Sequence, residues 1–216
     1  VNMRYTRIIV WTMLTALLVS CSNMDKHTYK VPFYNTPAFT PLWKLSDKDK
    51  NTLHTIPAFS FTDQHGSTIT QQTTAHKIYL ANFFFASCSG ICPRMMGTLS
   101  KVYAHFKNNN EILILSYTVD PDHDNPDMLK EYAGNNQIKE NWLLLTGSKE
   151  AIYTLARKGY FIEQVMGYSK TTNDFLHSEN IILVDKHKHI RGIYNGTVEL
   201  DAEKMIADIE ELLKED

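Results

Sequence analysis

A near-continuous apolar run, KIYLANFFF (residues 77–85), is followed three residues later by Cys88, then by Cys92, Pro93 and an amphipathic stretch. This succession constrains the fold more than any other feature of the chain. An apolar run of that length reads as a strand buried on both faces, which needs helices covering a parallel sheet on each side. Pro93 suits the first turn of a helix, where its missing N–H has no partner to lose. Met95, Leu99, Val102 and Phe106 then continue at helical spacing. Two thiols are thus expected where a buried strand hands over to a helix N-terminus.

The rest of the chain alternates in the same manner. IPAFSFTDQHGSTIT (56–70) alternates apolar and polar residues around His65-Gly66 and reads as an N-terminal hairpin. After the helix come a second buried strand, EILILSYTV, a short helix from Pro126, the strand WLLLT and the helix SKEAIYTLARKG. NIILVDKHKHIRGIY reads as two strands about a polar turn, and an acidic amphipathic helix follows from Asp201. Such alternation argues for an α/β sheet. Strand, dithiol at a helix start, helix, parallel strand, then hairpin and helix is the order of a thioredoxin-like fold, here with an additional N-terminal β-hairpin.

With 216 residues, 43% of them hydrophobic, the chain has the core for one ordinary domain plus terminal extras. Its 22 basic against 24 acidic residues carry no basic footprint, which sets nucleic-acid binding aside. Residues 1–21 begin with Arg4 and Arg7 and run into an apolar stretch of about 12 residues, a signal-peptide pattern too short to span a bilayer. That stretch ends in LVSC, which resembles the lipobox of bacterial lipoproteins and makes Cys21 the acylated first residue of the mature protein. Residues 22–51, with Pro32, Pro37 and Pro41 among aromatics and no period, read as a semi-extended tether of roughly 3 Å per residue whose aromatics are available to dock. The expected organisation is therefore a lipoprotein signal peptide (1–21), a tether (22–51) and a thioredoxin-like domain (52–216), lipid-anchored at the extracytoplasmic face of a bacterial membrane. That compartment permits disulfides.

At a helix N-terminus the partial positive charge favours thiolates, so the cysteine pKa values are expected to fall. Positions i and i+4 on one helix face lie about 6 Å apart, close enough for a disulfide. A structural staple enclosing three residues stabilises least in the loop-entropy picture. Redox chemistry and metal binding remain. Thioredoxin-like oxidoreductases carry C-x-x-C, and a cis-proline before the terminal hairpin strand. Here three residues separate the cysteines, the last proline is Pro126, and His177 occupies the proline's position. Two thiolates and an imidazole form a soft, low-coordinate set suited to Cu(I), with the nitrogen helping to hold Cu(II). Zinc would usually take a fourth ligand or a catalytic water.

CSGICPRM, SYTVDPDHDNPDML, WLLLTG and HSENIILVD, with the IPAFSFTDQHG hairpin, are similar to the Sco/SenC family of copper-binding thioredoxin-like proteins over residues 56–194. Ala86 and Ser89 stand where that family often has Thr and Pro. The resemblance implies copper bound by Cys88, Cys92 and His177, with Cys88 and Cys92 cycling as a redox-active dithiol. It also implies a role in metallating, or reducing the thiols of, the CuA site of cytochrome c oxidase subunit II or another cuproprotein. The competing class is a thiol-disulfide oxidoreductase in which copper is incidental. In DPDHDNPD, turn and cap chemistry explains most residues, Asn125-Pro126 reading as a helix start. Asp120 is the candidate carboxylate near the metal or a docking partner, and His123 an exposed alternative ligand. Met95 and Met96 read as core, and His187 and His189 as solvated turn residues.

If LVSC is a lipobox, mass spectrometry of protein expressed with its own leader finds a mature chain beginning at an acylated Cys21. A soluble, unmodified product cut elsewhere contradicts the anchor.

Overall fold

The computed structural model describes residues 30–163, 176 and 178–215. The expected signal peptide and Cys21 lie outside the described residues. In chain order the strands are β1 (Phe33–Tyr34), β2 (Pro41–Leu42), β3 (Ser60–Asp63), β4 (Thr68–Thr70), β5 (Ile78–Phe84), β6 (Ile112–Thr118), β7 (Trp142–Thr146), β8 (Asn180–Val184) and β9 (Ile190–Asn195). The helices are α1 (Asp47–Lys50), α2 (Cys92–Phe106), α3 (Pro126–Asn135), α4 (Lys149–Thr154), which runs into a π-helical turn Leu155–Gly159, and α5 (Leu200–Leu212).

The strands form one sheet in the order β2-β1-β9-β8-β5-β6-β7-β3-β4. Its centre is the parallel trio β5, β6 and β7, flanked by antiparallel β8 on one side and β3 on the other. Every residue of the trio is buried, as the apolar runs predict. Alternate side chains feed two cores. Ile78, Leu80, Ile114 and Trp142 pack on one face with α2, α3 and α5, whereas Tyr79, Leu113, Leu115 and Leu143 pack on the other with α4 and its π turn. Both expected hairpins form. Gly66 at the first turn has φ +80°, a conformation that costs glycine little.

Polar groups inside the central strands are paired, as burial demands. Trp142 Nε1–H donates to Ser116 Oγ at 2.9 Å, and that hydroxyl donates to Asn82 Oδ1 at 2.6 Å, tying the three central strands on the α2 face. Asn82 Nδ2 lies 4.0 Å from Met95 Sδ, and Met95 and Met96 are core residues of α2, as read from their spacing.

The stretch expected as a tether differs from that reading. From Val31 onward it is part of the domain: β1 pairs with β9, Tyr34 opposite Ile190, and β2 folds back on β1. Further on, a capping box formed by Ser46 and Asp49 opens α1. Arg191 of β9 holds the segment in place. It is 3% exposed and donates to the carbonyls of Val31 (2.7 Å) and Pro32 (3.1 Å), while its guanidinium sits 3.9 Å from the Phe33 ring centroid. The same group pairs with Asp185 at 3.1 Å and with Glu215, after α5, at 2.7 Å. His189 also departs from expectation, being mostly buried beside Phe33 and 3.6 Å from Asp185, whereas His187 is exposed.

Burial alone would raise the Asp185 carboxyl, but facing His189 and Arg191 hold it below the ordinary carboxylate value. A depressed carboxyl stabilises the fold above its unfolded pKa of about 4, and the contribution is lost as pH falls through the lower folded value. Replacing Arg191 by Ala leaves Asp185 buried without its cation and two carbonyls without their donor. The variant is expected to lose about 3 kcal/mol, read as a lower urea midpoint at unchanged slope. A wild-type midpoint contradicts the latch.

Candidate metal and redox centre

The site forms where β5 ends. Phe84 lies opposite Thr118 of β6, and the Val119 N–H donates to the Phe84 carbonyl at 2.8 Å. The chain then turns, with the Cys88 N–H donating to the Phe85 carbonyl at 3.2 Å. Helix α2 starts only at Cys92. Cys88 therefore belongs to the loop, and the expectation of two cysteines on one helix face is corrected: the loop, not the helical repeat, brings them together.

Ile91 caps α2 without a side-chain acceptor, and no acidic residue stands in the first turn. The orphan N–H groups of a helix start need some acceptor. The sulfur of Cys88 supplies it, receiving hydrogen bonds from the Cys92 thiol and from the N–H groups of Cys92, Gly90 and Ile91. Burial works against the thiolate, but these donors outweigh it and hold the Cys88 thiol below its ordinary value. Cys92 is 3% exposed. Burial first, then its hydrogen bond to Cys88 and that neighbour's charge, push it up to about 12, against the opposing N–H groups of Phe85 and of Cys92 itself. The expectation that the helix start lowers both thiols is thus corrected. One thiolate uses the donors, and a second would be buried beside a like charge.

Both cysteines are free thiols, and they open on a cavity of about 400 Å³ walled by Phe84, Phe85, Val119 and Leu176, with Ser178 among its polar groups. The Tyr132 ring packs 5.4 Å from that of Phe84. Its hydroxyl is pushed up to about 12 by burial and by the neighbouring Cys92, Cys88 and Asp124, so it stays protonated beside the dithiol. His177 lies outside the described residues, and among the described residues no three His, Cys, Asp or Glu side chains converge on a metal position.

Asp120, singled out in the sequence, faces His123, whose Nδ1 lies 2.9 Å from Asp120 Oδ2. The exposed His123 is raised from its ordinary value by that hydrogen bond and charge. The carboxylate that reaches the dithiol loop is Asp124, four residues on. It is 3% exposed, and its Oδ2 accepts from the Ala86 N–H at 3.0 Å and from the Thr118 hydroxyl. Asn125 caps α3 as expected, accepting from the Met128 N–H at 3.0 Å. No pattern in DPDHDNPD separates the two aspartates, because what distinguishes them is which one the loop turns inward.

The SCO1/SenC family model matches residues 47–214. The SCO1 protein homolog of Bacillus subtilis is 27% identical over 157 residues, covering 71% of this chain and 80% of the relative. The crystal structure of a SCO1/SenC family lipoprotein from Bacillus anthracis is similar with TM-score 0.65 and 26% identity, over 74% of this chain and 96% of that one. The fold is also that of Bradyrhizobium japonicum ScoI, solved with copper bound: TM-score 0.57, 22% identity, 71% of this chain and 96% of that one.

Proposed function

The chain belongs to the SCO1/SenC family, and from that premise we propose that it is a copper carrier serving cytochrome c oxidase, with copper as its cargo at Cys88, Cys92 and His177. Sco family proteins take part in assembling that oxidase. The observation that carries the reading is the pair of free thiols held side by side at the start of α2. Two sulfurs are the donors that Cu(I) prefers, and one of them is already favoured as thiolate. Leu176 and Ser178, the sequence neighbours of His177, line the same cavity as both cysteines, which supports an imidazole as third donor. Within this reading Cys21 carries the lipid anchor on the extracytoplasmic side of a bacterial membrane, and the partner is oxidase subunit II or another cuproprotein.

A second reading, thiol-disulfide exchange, has its own support in the unequal thiols. The Cys88 thiolate attacks one sulfur of a partner disulfide, forming a mixed disulfide and releasing the partner's other sulfur as thiolate. Cys92 then gives its proton to that released thiolate and attacks the Cys88 sulfur, so Cys88–Cys92 becomes the disulfide and the partner leaves with one thiol and one thiolate, the latter taking a proton from water. That chemistry prepares a partner's cysteines for copper without itself needing His177.

His177→Ala separates the two. Exchange uses only the cysteines, so its rate is expected to stay within about threefold of wild type. Two thiolates alone suit Cu(I) and not Cu(II), so the variant is expected to retain Cu(I) and lose its Cu(II) absorbance, with oxidase activity collapsing in a complemented deletion strain. Survival of both Cu(II) binding and oxidase activity overturns the copper role of His177 and favours the oxidoreductase.

A further inference from the structure

We propose that Gly196 is a positioning residue of the centre: having no side chain, it lets the turn between β9 and α5 act as a spacer that sets how far the segment entering β8 stands from the dithiol helix. The β8–β9 ladder closes with Asn180 opposite Asn195. One step beyond, the Gly196 N–H donates to the Glu179 carbonyl at 2.7 Å. The turn is tied to α2 as well. Arg94, two residues after Cys92, donates to the Thr197 carbonyl at 3.1 Å, and the fully buried Met95 occupies the space that a side chain on residue 196 would need. Asn195 Oδ1 holds the turn from within, accepting from the Thr197 N–H at 2.9 Å and from its hydroxyl at 2.7 Å.

Space, not backbone conformation, demands the glycine here, since its φ is not positive. A β-carbon on residue 196 would stand 2.6 Å from Met95 Cγ, 2.9 Å from Ile181 Cδ1 and 3.1 Å from the Glu179 carbonyl oxygen. Carbon atoms pack at about 3.5 Å or more. Ile181 Cδ1 ends its side chain and can turn aside. The other two contacts belong to the two sides of the centre. Met95 follows Cys92 by about one helical turn, and Glu179 follows Leu176 and Ser178, which line the cavity together with both cysteines. In a core packed to crystal density, an added methyl group is accommodated by shifts of backbone. A side chain at 196 therefore parts α2 from residues 176–179. Cys88 and Cys92, both carried by α2 and the loop leading into it, keep their own separation.

On the copper reading, which this role presupposes, His177 of that segment is the third donor. Two sulfurs suffice for Cu(I), whereas Cu(II) needs the nitrogen, so the two oxidation states report the spacing separately. The measurement is the titration of the full, reduced chain with Cu(I) against a chelator and with Cu(II) by absorbance. Gly196→Ala is expected to hold Cu(I) within about threefold of wild type and Cu(II) at least about tenfold more weakly. Met95→Ala in the same chain removes the nearest clash and is expected to bring Cu(II) binding back to within about threefold of wild type. Wild-type Cu(II) binding in folded Gly196→Ala overturns the proposal, as does an equal loss of Cu(I) and Cu(II), which assigns the damage to the thiols. Where Gly196→Ala alone does not fold, the double variant decides: restored Cu(II) binding upholds the spacing and its loss overturns it. Failure of both to fold also overturns it, assigning Gly196 to the stability of the fold alone. If wild type takes up no Cu(II), the copper reading falls and amide exchange of metal-free protein decides. The residue-196 amide of Gly196→Ala is then expected to exchange about tenfold faster than in wild type, and an unchanged rate overturns the spacing.

Discussion

The N–H groups of Gly90, Ile91 and Cys92, which lead the chain into α2, converge on the sulfur of Cys88. A helix start uncapped by any side chain leaves donors that water, a ligand or a neighbouring anion must satisfy. Putting a cysteine there makes the thiolate the cap. The helix gains an acceptor and the sulfur gains a charge it would not carry in solution at the same pH. Cys92, the first residue of α2, stays protonated because it is buried and lies beside that charge. The inequality of the thiols follows from donors gathered on one sulfur and burial of the other.

The sheet supplies the frame for that arrangement. A strand buried along its whole length can only end abruptly, and β5 delivers Phe84 to the edge of the core beneath α2 before the chain turns into the loop. Behind it, the Trp142–Ser116–Asn82 bonds tie the three parallel strands together on the face that carries α2. Registry between strand end and helix start is thus set by packing, and only the loop between them is left to Asp124.

The parts legible in the sequence are those whose cause is local. Apolar runs named β5, β6 and β7, Gly66 marked the hairpin turn, and Pro93 and Pro126 marked helix starts, because period, φ and a missing N–H act within a few residues. Docking of the aromatics in residues 31–42 was expected, but their pairing as strands was not legible, since its anchor is Arg191, remote in sequence, and two-residue strands carry no period. Asp124 was passed over for Asp120 because burial depends on the fold of the loop. The direction of the Cys92 shift was missed for a related reason: a helix N-terminus argues for thiolates in general, while burial and a charged neighbour decide between two of them.

The central claim is that one pair of sulfurs holds the copper cargo and that the same pair, when joined, holds none, because a metal needs both thiolates free. A Cu(I) titration of purified protein against a competing chelator, run once fully reduced and once with Cys88 and Cys92 oxidised, tests it directly. The account predicts one equivalent taken up by the reduced protein and none at this site by the oxidised one. One equivalent bound there after oxidation, or none bound before it, contradicts the account.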